Sequence, residues 1–189
     1  MRRIAAILLV FALSVGVAIA SPSARKGAAR IVLTQKDVGR AYRPTPEMAA
    51  AHTLADIEPG ASASVKRELA AKFIAGYQSG FNGVTVRRNI ISTADVFRTT
   101  NLNLILGFWE RRYLSLSLGK RLAVPPDAPG THRTLIRGRM RGPSKGWVVL
   151  LYQWQRGTTI MTVWQLGPKS SLRPSELFAL ARVQDAKAR

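Results

Sequence analysis

The stretch Tyr152–Gly167, YQWQRGTTIMTVWQLG, decides the fold class of this chain. It consists of two runs rich in aromatic and β-branched residues, and Arg156 and Gly157 between them suit a two-residue turn. This pattern is typical of an antiparallel hairpin. With the turn at these two residues, Gln155 pairs with Thr158, and facing residues share one side of the sheet.

The two sides of this hairpin differ in polarity. One side is almost entirely apolar and is predicted to face a core; it holds Val148, Leu150, Tyr152, Trp154, Met161 and Val163. The other side is apolar at one end and polar at the other. This mixed side holds Trp147, Val149, Leu151, Gln153, Gln155, Thr158, Ile160, Thr162, Trp164 and Leu166.

The strand before this hairpin carries arginines at alternate positions. In the segment TLIRGRMRG, Arg137, Arg139 and Arg141 share one side of the strand, and Arg133 lies on that side too. Which side of the sheet they occupy depends on the loop that leads into the next strand.

A five-residue loop at 142–146 pairs Arg141 with Trp147, Arg139 with Val149 and Arg137 with Leu151, which places the arginines on the mixed side. A four-residue loop would place them on the apolar side, where unpaired charges are costly. We therefore expect the longer loop.

The arginines and two tryptophans of the mixed side then form a candidate anion-binding surface, since guanidinium groups beside indoles can hold phosphates or carboxylates. The alternative is that the arginines only protect a terminal strand from edge-to-edge aggregation, with their stems covering the tryptophans. The candidate residues are Arg133, Arg137, Arg139, Arg141, Trp147 and Trp164.

The first 20 residues have the pattern of a signal peptide. Two arginines precede an apolar run, which ends in the small-residue box Ala18-Ile19-Ala20. We expect cleavage after Ala20 and a secreted or envelope-associated protein, the alternative being an uncleaved membrane anchor. Residues 21–32 are expected to be a flexible basic tether, and residues 33–189 a single domain.

The rest of the chain alternates between helical and strand periodicity. Helices are predicted at 34–38, 64–76 and 102–116 and from Pro174 onward, and strands at 77–81, 86–97, 132–141, 147–155 and 158–166. Residues 42–59 are predicted to wrap the surface with at most a short helix at 48–52, and residues 120–130 to form a loop. The predicted class is α+β, with a mostly antiparallel sheet of about five strands and helices packed on its faces.

The charge of the chain points to anionic partners. The formal net charge is +19, and a field of one sign favours salt-sensitive association with anionic lipid headgroups, acidic wall polymers or nucleic acid. Export argues against nucleic acid. The alternative is that the arginines reflect composition alone and serve solubility.

The sequence contains no recognisable catalytic or cofactor motif. It has no cysteine, so disulfides and thiolate metal sites are excluded, and its ten carboxylates show no metal-binding spacing. The two histidines, His52 and His132, lie near no nucleophile motif and are interpreted as surface or capping residues. No enzymatic activity, cofactor or metal is expected.

Five segments together suggest a family resemblance: LTQKDVGRAYR, GYQSGF, VFRTTN, TIMTVWQLG and ALARVQDAK. Their order over residues 33–187 resembles exported bacterial proteins of the PsbP-like superfamily. The resemblance implies an antiparallel sheet with helices on its faces and a binding or accessory role without shared catalytic residues. The chain departs from lipoprotein members by lacking a lipobox cysteine, and by its basic charge.

Two functions follow as hypotheses. The first is a non-enzymatic accessory or binding domain at the cell envelope that binds polyanions through the basic sheet side. The second is a sensor-like domain that binds a small ligand in an apolar pocket between the mixed side and the helix at 102–116.

Overall fold

The computed structural model describes residues 22–139 and 146–189. Its strands are β1 (Tyr42–Pro44), β2 (Ala50–His52), β3 (Phe73–Gly83), β4 (Asn89–Phe97), β5 (Lys120–Leu122), β6 (Thr131–Arg139), β7 (Trp147–Arg156) and β8 (Thr159–Pro168). Its helices are α1 (Pro22–Ile31), α2 (Gln35–Val38), α3 (Leu54–Ile57), α4 (Ala63–Lys72), α5 (Asn103–Leu116) and α6 (Pro174–Lys187).

The eight described strands form one antiparallel sheet in the order β1-β3-β4-β8-β7-β6-β5, and β2 also pairs with β3. The predicted α+β class with a mostly antiparallel sheet is confirmed. The predicted number of strands was too low, because β1, β2 and β5 have three residues each and are too short to show an alternating pattern.

Helices cover both faces of the sheet. On the face covered by α1 and α6, which we call the α6 face, Leu33 and Leu177 belong to the same buried cluster as the fully buried Trp154. On the opposite face, the α5 face, Leu69 of α4 and Ile105 of α5 pack around Phe97. The apolar side of the β7–β8 hairpin is therefore core, as predicted.

The β7–β8 hairpin has the predicted faces but a different turn. Arg156 pairs with Thr159, so the turn residues are Gly157 and Thr158 rather than Arg156 and Gly157. Gly157 has φ of 54°, a conformation that glycine adopts without steric cost. The facing pairs differ from the expected ones by two positions, and a shift of two leaves every side chain on its own face.

The register between β6 and β7 contradicts the prediction. Arg137 pairs with Leu150 and Arg139 with Val148, one position away from the expected partners, so both arginines lie on the α6 face. They avoid burial there because β6 lies outside the strands that α6 covers; Arg137 is half-buried and Arg139 exposed. Arg141, whose predicted partner was Trp147, and most of the connecting loop lie outside the described residues.

Two neighbours of the arginines explain this register. Ile136 is fully buried on the α5 face against Val149 and Leu151. A side chain at Gly138 would overlap the carbonyl oxygen of Ser117, which follows α5. Ile136 and Gly138 therefore must face α5, and Arg137 and Arg139, which alternate with them, lie on the other side of the strand.

The predicted tether is a helix in the structure. Residues Pro22–Ile31 form α1, whose Ala28 is fully buried and which packs against β3. Small residues allow this close approach, although they show no helical periodicity of large apolar side chains. No helix among the described residues is long and apolar enough to cross a membrane. The predicted signal peptide lies outside the described residues.

Candidate functional site

The five described residues of the predicted anion-binding surface do not come together. Arg137 and Arg139 lie on the α6 face, whereas Trp147 and Trp164 lie on the α5 face. Trp164 packs edge-on against Tyr113 of α5, with ring centroids 5.0 Å apart, so it belongs to the core of that layer. Arg141 lies outside the described residues.

Arg133 is held at the edge of a cleft. A bulge separates Thr131 and Thr134 in β6, and the Arg133 guanidinium projects from it to the loop at 125–128. Its Nη1 donates to the carbonyl oxygens of Pro126 and Ala128, at 2.9 and 3.0 Å. These bonds hold Nη1 of the guanidinium against this loop.

This cleft has a volume of about 360 Å³ and lies between α5 and the strands β5 and β6. The second hypothesis expected an apolar pocket between the sheet and this helix, but the lining is mixed. The polar residues are Asn103, Glu110, Arg121, His132, Arg133 and Thr134, and the others are Leu106, Gly107, Leu122, Val124 and Leu135.

The charged groups of the cleft are arranged by direct contacts. The Glu110 carboxylate, whose side chain is 13% exposed, forms an ion pair with Nε of Arg121. His132 has φ of 47°, an uncommon conformation for a residue other than glycine, and it occurs at the β6 bulge. Three basic side chains and one carboxylate therefore line the cleft.

The sequence did not reveal most of this cleft. Arg121 lies in a segment predicted to be a loop, and Glu110 lies on the predicted helix at 102–116, where no motif marked it as a site residue. No motif joins them, because the cleft forms only when β5 adds to the edge of β6. The bulge that positions His132 also carries no local signal.

A row of polar residues crosses the α5 face and ends at the cleft. Five cross-strand neighbours form it: Gln78, Thr93, Thr162, Gln153 and Thr134. Gln153 is 1% exposed, and its Nε2 has no hydrogen-bond partner among the described residues. The polar end of the mixed side predicted from the sequence is therefore buried beneath α5 rather than solvent-exposed.

His52 is half-buried and paired with a buried carboxylate rather than being a free surface residue. Its Nδ1 lies 2.9 Å from Oδ1 of Asp95, which is 4% exposed. Burial alone would lower the pKa of His52, but the charge and hydrogen bond of Asp95, with further contributions from Asp56 and Gln78, raise that pKa above its usual value. The pair links the short strand β2 to β4, and Gly76 of β3 lies between the two residues.

Most carboxylates are used within the fold. All ten lie in the described residues, and eight of them form ion pairs with basic side chains. Asp56 caps α3 through Thr53. The positive excess is therefore left on the surface. No group of three or more His, Asp and Glu residues that could hold a metal ion occurs in the two described ranges.

No protein-family model matches the sequence, and none of the curated proteins is significantly similar to it. Among solved structures, the extracellular domain of PknH from Mycobacterium tuberculosis is similar, with a TM-score of 0.55 over 90% of this chain and 98% of that chain. The sequence identity is 9%, so the likeness concerns the fold alone.

Proposed function

We propose that this protein is an exported, non-enzymatic binding domain and that the cleft between α5 and β5–β6 is its ligand site. The observation that carries the proposal is the convergence of Arg121, His132 and Arg133 on one concave site that contains a single carboxylate, Glu110. An extracellular domain with a similar fold and the signal-peptide pattern support the exported location.

The cleft suits a small ligand with an anionic group. Its volume of about 360 Å³ is at the lower end of the range for small-molecule sites. Within the described residues, the printed bonds engage only Nε of Arg121 and Nη1 of Arg133, and a guanidinium can bind a carboxylate or phosphate through two parallel hydrogen bonds. Leu106 and Leu122 supply an apolar wall for the remainder of such a ligand.

A binding role fits the cleft better than catalysis. General acid–base chemistry needs a group free to exchange a proton with the substrate. Here the Glu110 carboxylate is held in an ion pair with Arg121. The cleft therefore offers orientation and charge complementarity rather than a proton relay.

Isothermal titration calorimetry with a panel of small carboxylates and phosphate esters tests this proposal. We expect at least one compound to bind, and Arg121→Gln and Arg133→Gln each to weaken binding by about tenfold or more, since a hydrogen bond to a charged group contributes about 1.5–3 kcal/mol. Arg43→Gln is the matched control, because β1 lies at the opposite edge of the sheet from β5. Equal losses in all three variants would contradict a site in the cleft.

The charge distribution favours a second candidate function, the retention of the protein on polyanions of the cell envelope. Because eight of the ten carboxylates are engaged in ion pairs within the chain, few of them remain to neutralise the 29 lysines and arginines. We expect the protein to be retained on acidic wall polymer or anionic vesicles at about 50 mM salt and released at about 500 mM, because salt reduces the range of electrostatic attraction. Retention that does not change with salt would contradict this function.

A further inference from the structure

Helix α5 ends in an uncommon way. The N–H of Gly119 donates to the carbonyl oxygen of Leu114 at 2.8 Å, and the N–H of Leu118 donates to that of Ser115 at 3.4 Å. These two bonds define a Schellman motif, in which the residue at the Leu118 position is left-handed and usually glycine. Here that residue is a leucine with φ of 46°.

The leucine at this position is unfavourable in two respects. A left-handed conformation is strained for a residue with a Cβ atom, and the Leu118 side chain is 60% exposed, so burial does not offset the strain. Leu116, two residues earlier, is 52% exposed. Strained residues that persist without a packing reason cluster at functional sites.

Basic residues lie near these leucines where β5 forms the edge of the sheet; Arg137 and Arg139 are among them, although their side chains lie on the α6 face. Lys120 follows the turn and pairs with Arg137 on β6, and the N–H of Arg139 donates to the carbonyl oxygen of Ser117. Arg111 lines a groove together with Leu116. No ion pair joins Arg111, Lys120, Arg137 or Arg139 to a carboxylate of the described residues. We call this surface the leucine corner; it consists of Leu116, Leu118, Arg111, Lys120, Arg137 and Arg139.

We propose that the leucine corner docks the protein onto an anionic lipid bilayer. The four basic side chains would face phosphate headgroups, and the two leucines would enter the boundary between headgroups and acyl chains. A soluble acidic polymer offers charge but no apolar layer for the leucines. A bilayer offers both, which is why the combination favours lipid.

This proposal rests on the second candidate function and names its partner and its surface. It also gives Arg137 and Arg139 a role different from the one that the sequence predicted. They act with the leucines at the end of α5, rather than with the tryptophans of the α5 face.

Vesicle co-sedimentation of the protein recovered after export tests the proposal. The probes are vesicles of phosphatidylglycerol mixed with phosphatidylcholine, and vesicles of phosphatidylcholine alone, which control for insertion by any retained apolar segment. We expect binding to the anionic vesicles only. Leu118→Gly is expected to weaken it about tenfold, because an inserted leucine loses its contact with the apolar layer.

Leu118→Gly also distinguishes an effect on vesicle binding from an effect on the stability of the fold. Glycine relieves the left-handed strain, so the thermal midpoint of this variant is expected to equal or exceed that of the wild type while vesicle binding falls. Leu116→Ser is expected to weaken binding as well. Leu104→Ser is the matched control, because Leu104 is an exposed leucine at the opposite end of α5, 42% accessible, and its loss is expected to leave binding unchanged.

The outcomes distinguish this proposal from the function on which it rests. If both corner variants bind anionic vesicles like the wild type, the leucine corner is not the docking surface, although salt-sensitive retention on polyanions still stands. If the wild type binds acidic wall polymer but no anionic vesicle, the lipid partner is wrong. If it binds neither at low salt, both proposals fail.

Discussion

Replacing Trp154 by alanine is expected to lower the free energy of unfolding by about 3–5 kcal/mol, the usual cost of removing a large aromatic side chain from a core. Trp154 is fully buried on the α6 face and is stacked on Tyr152, with ring centroids 5.1 Å apart. Its Nε1 donates to Oδ1 of Asp185 at 3.0 Å, so the substitution also removes a contact that holds α6 to the sheet. Chemical denaturation followed by circular dichroism measures the change.

Trp154→Phe separates the energetic effect of the cavity from that of the lost hydrogen bond. Phenylalanine fills most of the volume, and Asp185 keeps its hydrogen bond from Nε of Arg156 at 2.7 Å. We therefore expect a smaller loss, about 1–2 kcal/mol. If Trp154→Ala lost less than about 1 kcal/mol, Trp154 would not be packed between α6 and the sheet as described.

Replacing Gly76 by alanine is expected to lower the free energy of unfolding by about 2–3 kcal/mol, as overpacking of a tight site does. An added Cβ would overlap Oδ1 of Asp95 and lie 2.8 Å from Cβ of His52. The substitution would therefore push apart the pair that fastens β2 to the sheet. Gly107→Ala is the matched control: among the described side chains its Cβ would approach a terminal nitrogen of Arg111, at 3.4 Å, and alanine in a helix is favoured by about 1 kcal/mol.

The pH dependence of stability gives Gly76→Ala a second readout. Because the pKa of His52 is raised in the folded protein, its pairing with Asp95 stabilises the fold fully below the ordinary pKa of 6.5 and less as pH rises through the raised value. Thermal midpoints of the wild type are expected to fall across this range, and those of Gly76→Ala to change less. Parallel pH profiles for the two proteins would show that the pair is not disrupted.

The sequence located one part of the candidate cleft, Arg133, but assigned it to a different surface. The predicted register of β6 against β7 was based on the cost of burying arginine, which applies at the centre of a sheet. In β6, near the edge of the sheet, the arginines reach solvent from the α6 face. The cost of burial therefore did not distinguish between the two registers. The buried Ile136 and the close approach of the Ser117 turn to Gly138 determined the register instead.

The hypothesis of a ligand pocket beside the helix at 102–116 stays a prediction, and the cleft that lies there has a mixed rather than an apolar lining. The long helix and the mixed side were evident from periodicity, and α5 does cover that side. The charged lining was not predictable, because Glu110 and Arg121 lie on different elements and meet only after β5 joins the sheet. The His52–Asp95 pair was missed for the same reason, since the two residues are 43 positions apart.

The sequence by itself determined the α+β class, the long helices, the core-facing side of the β7–β8 hairpin and the positive excess. These depend on periodicity, turn residues and composition, which are local or additive properties. The tertiary structure alone decided the register of β6, the lining of the cleft, the His52–Asp95 pair and the leucine corner. Each of these depends on contacts between residues distant in the chain, and such contacts are set by how whole elements pack.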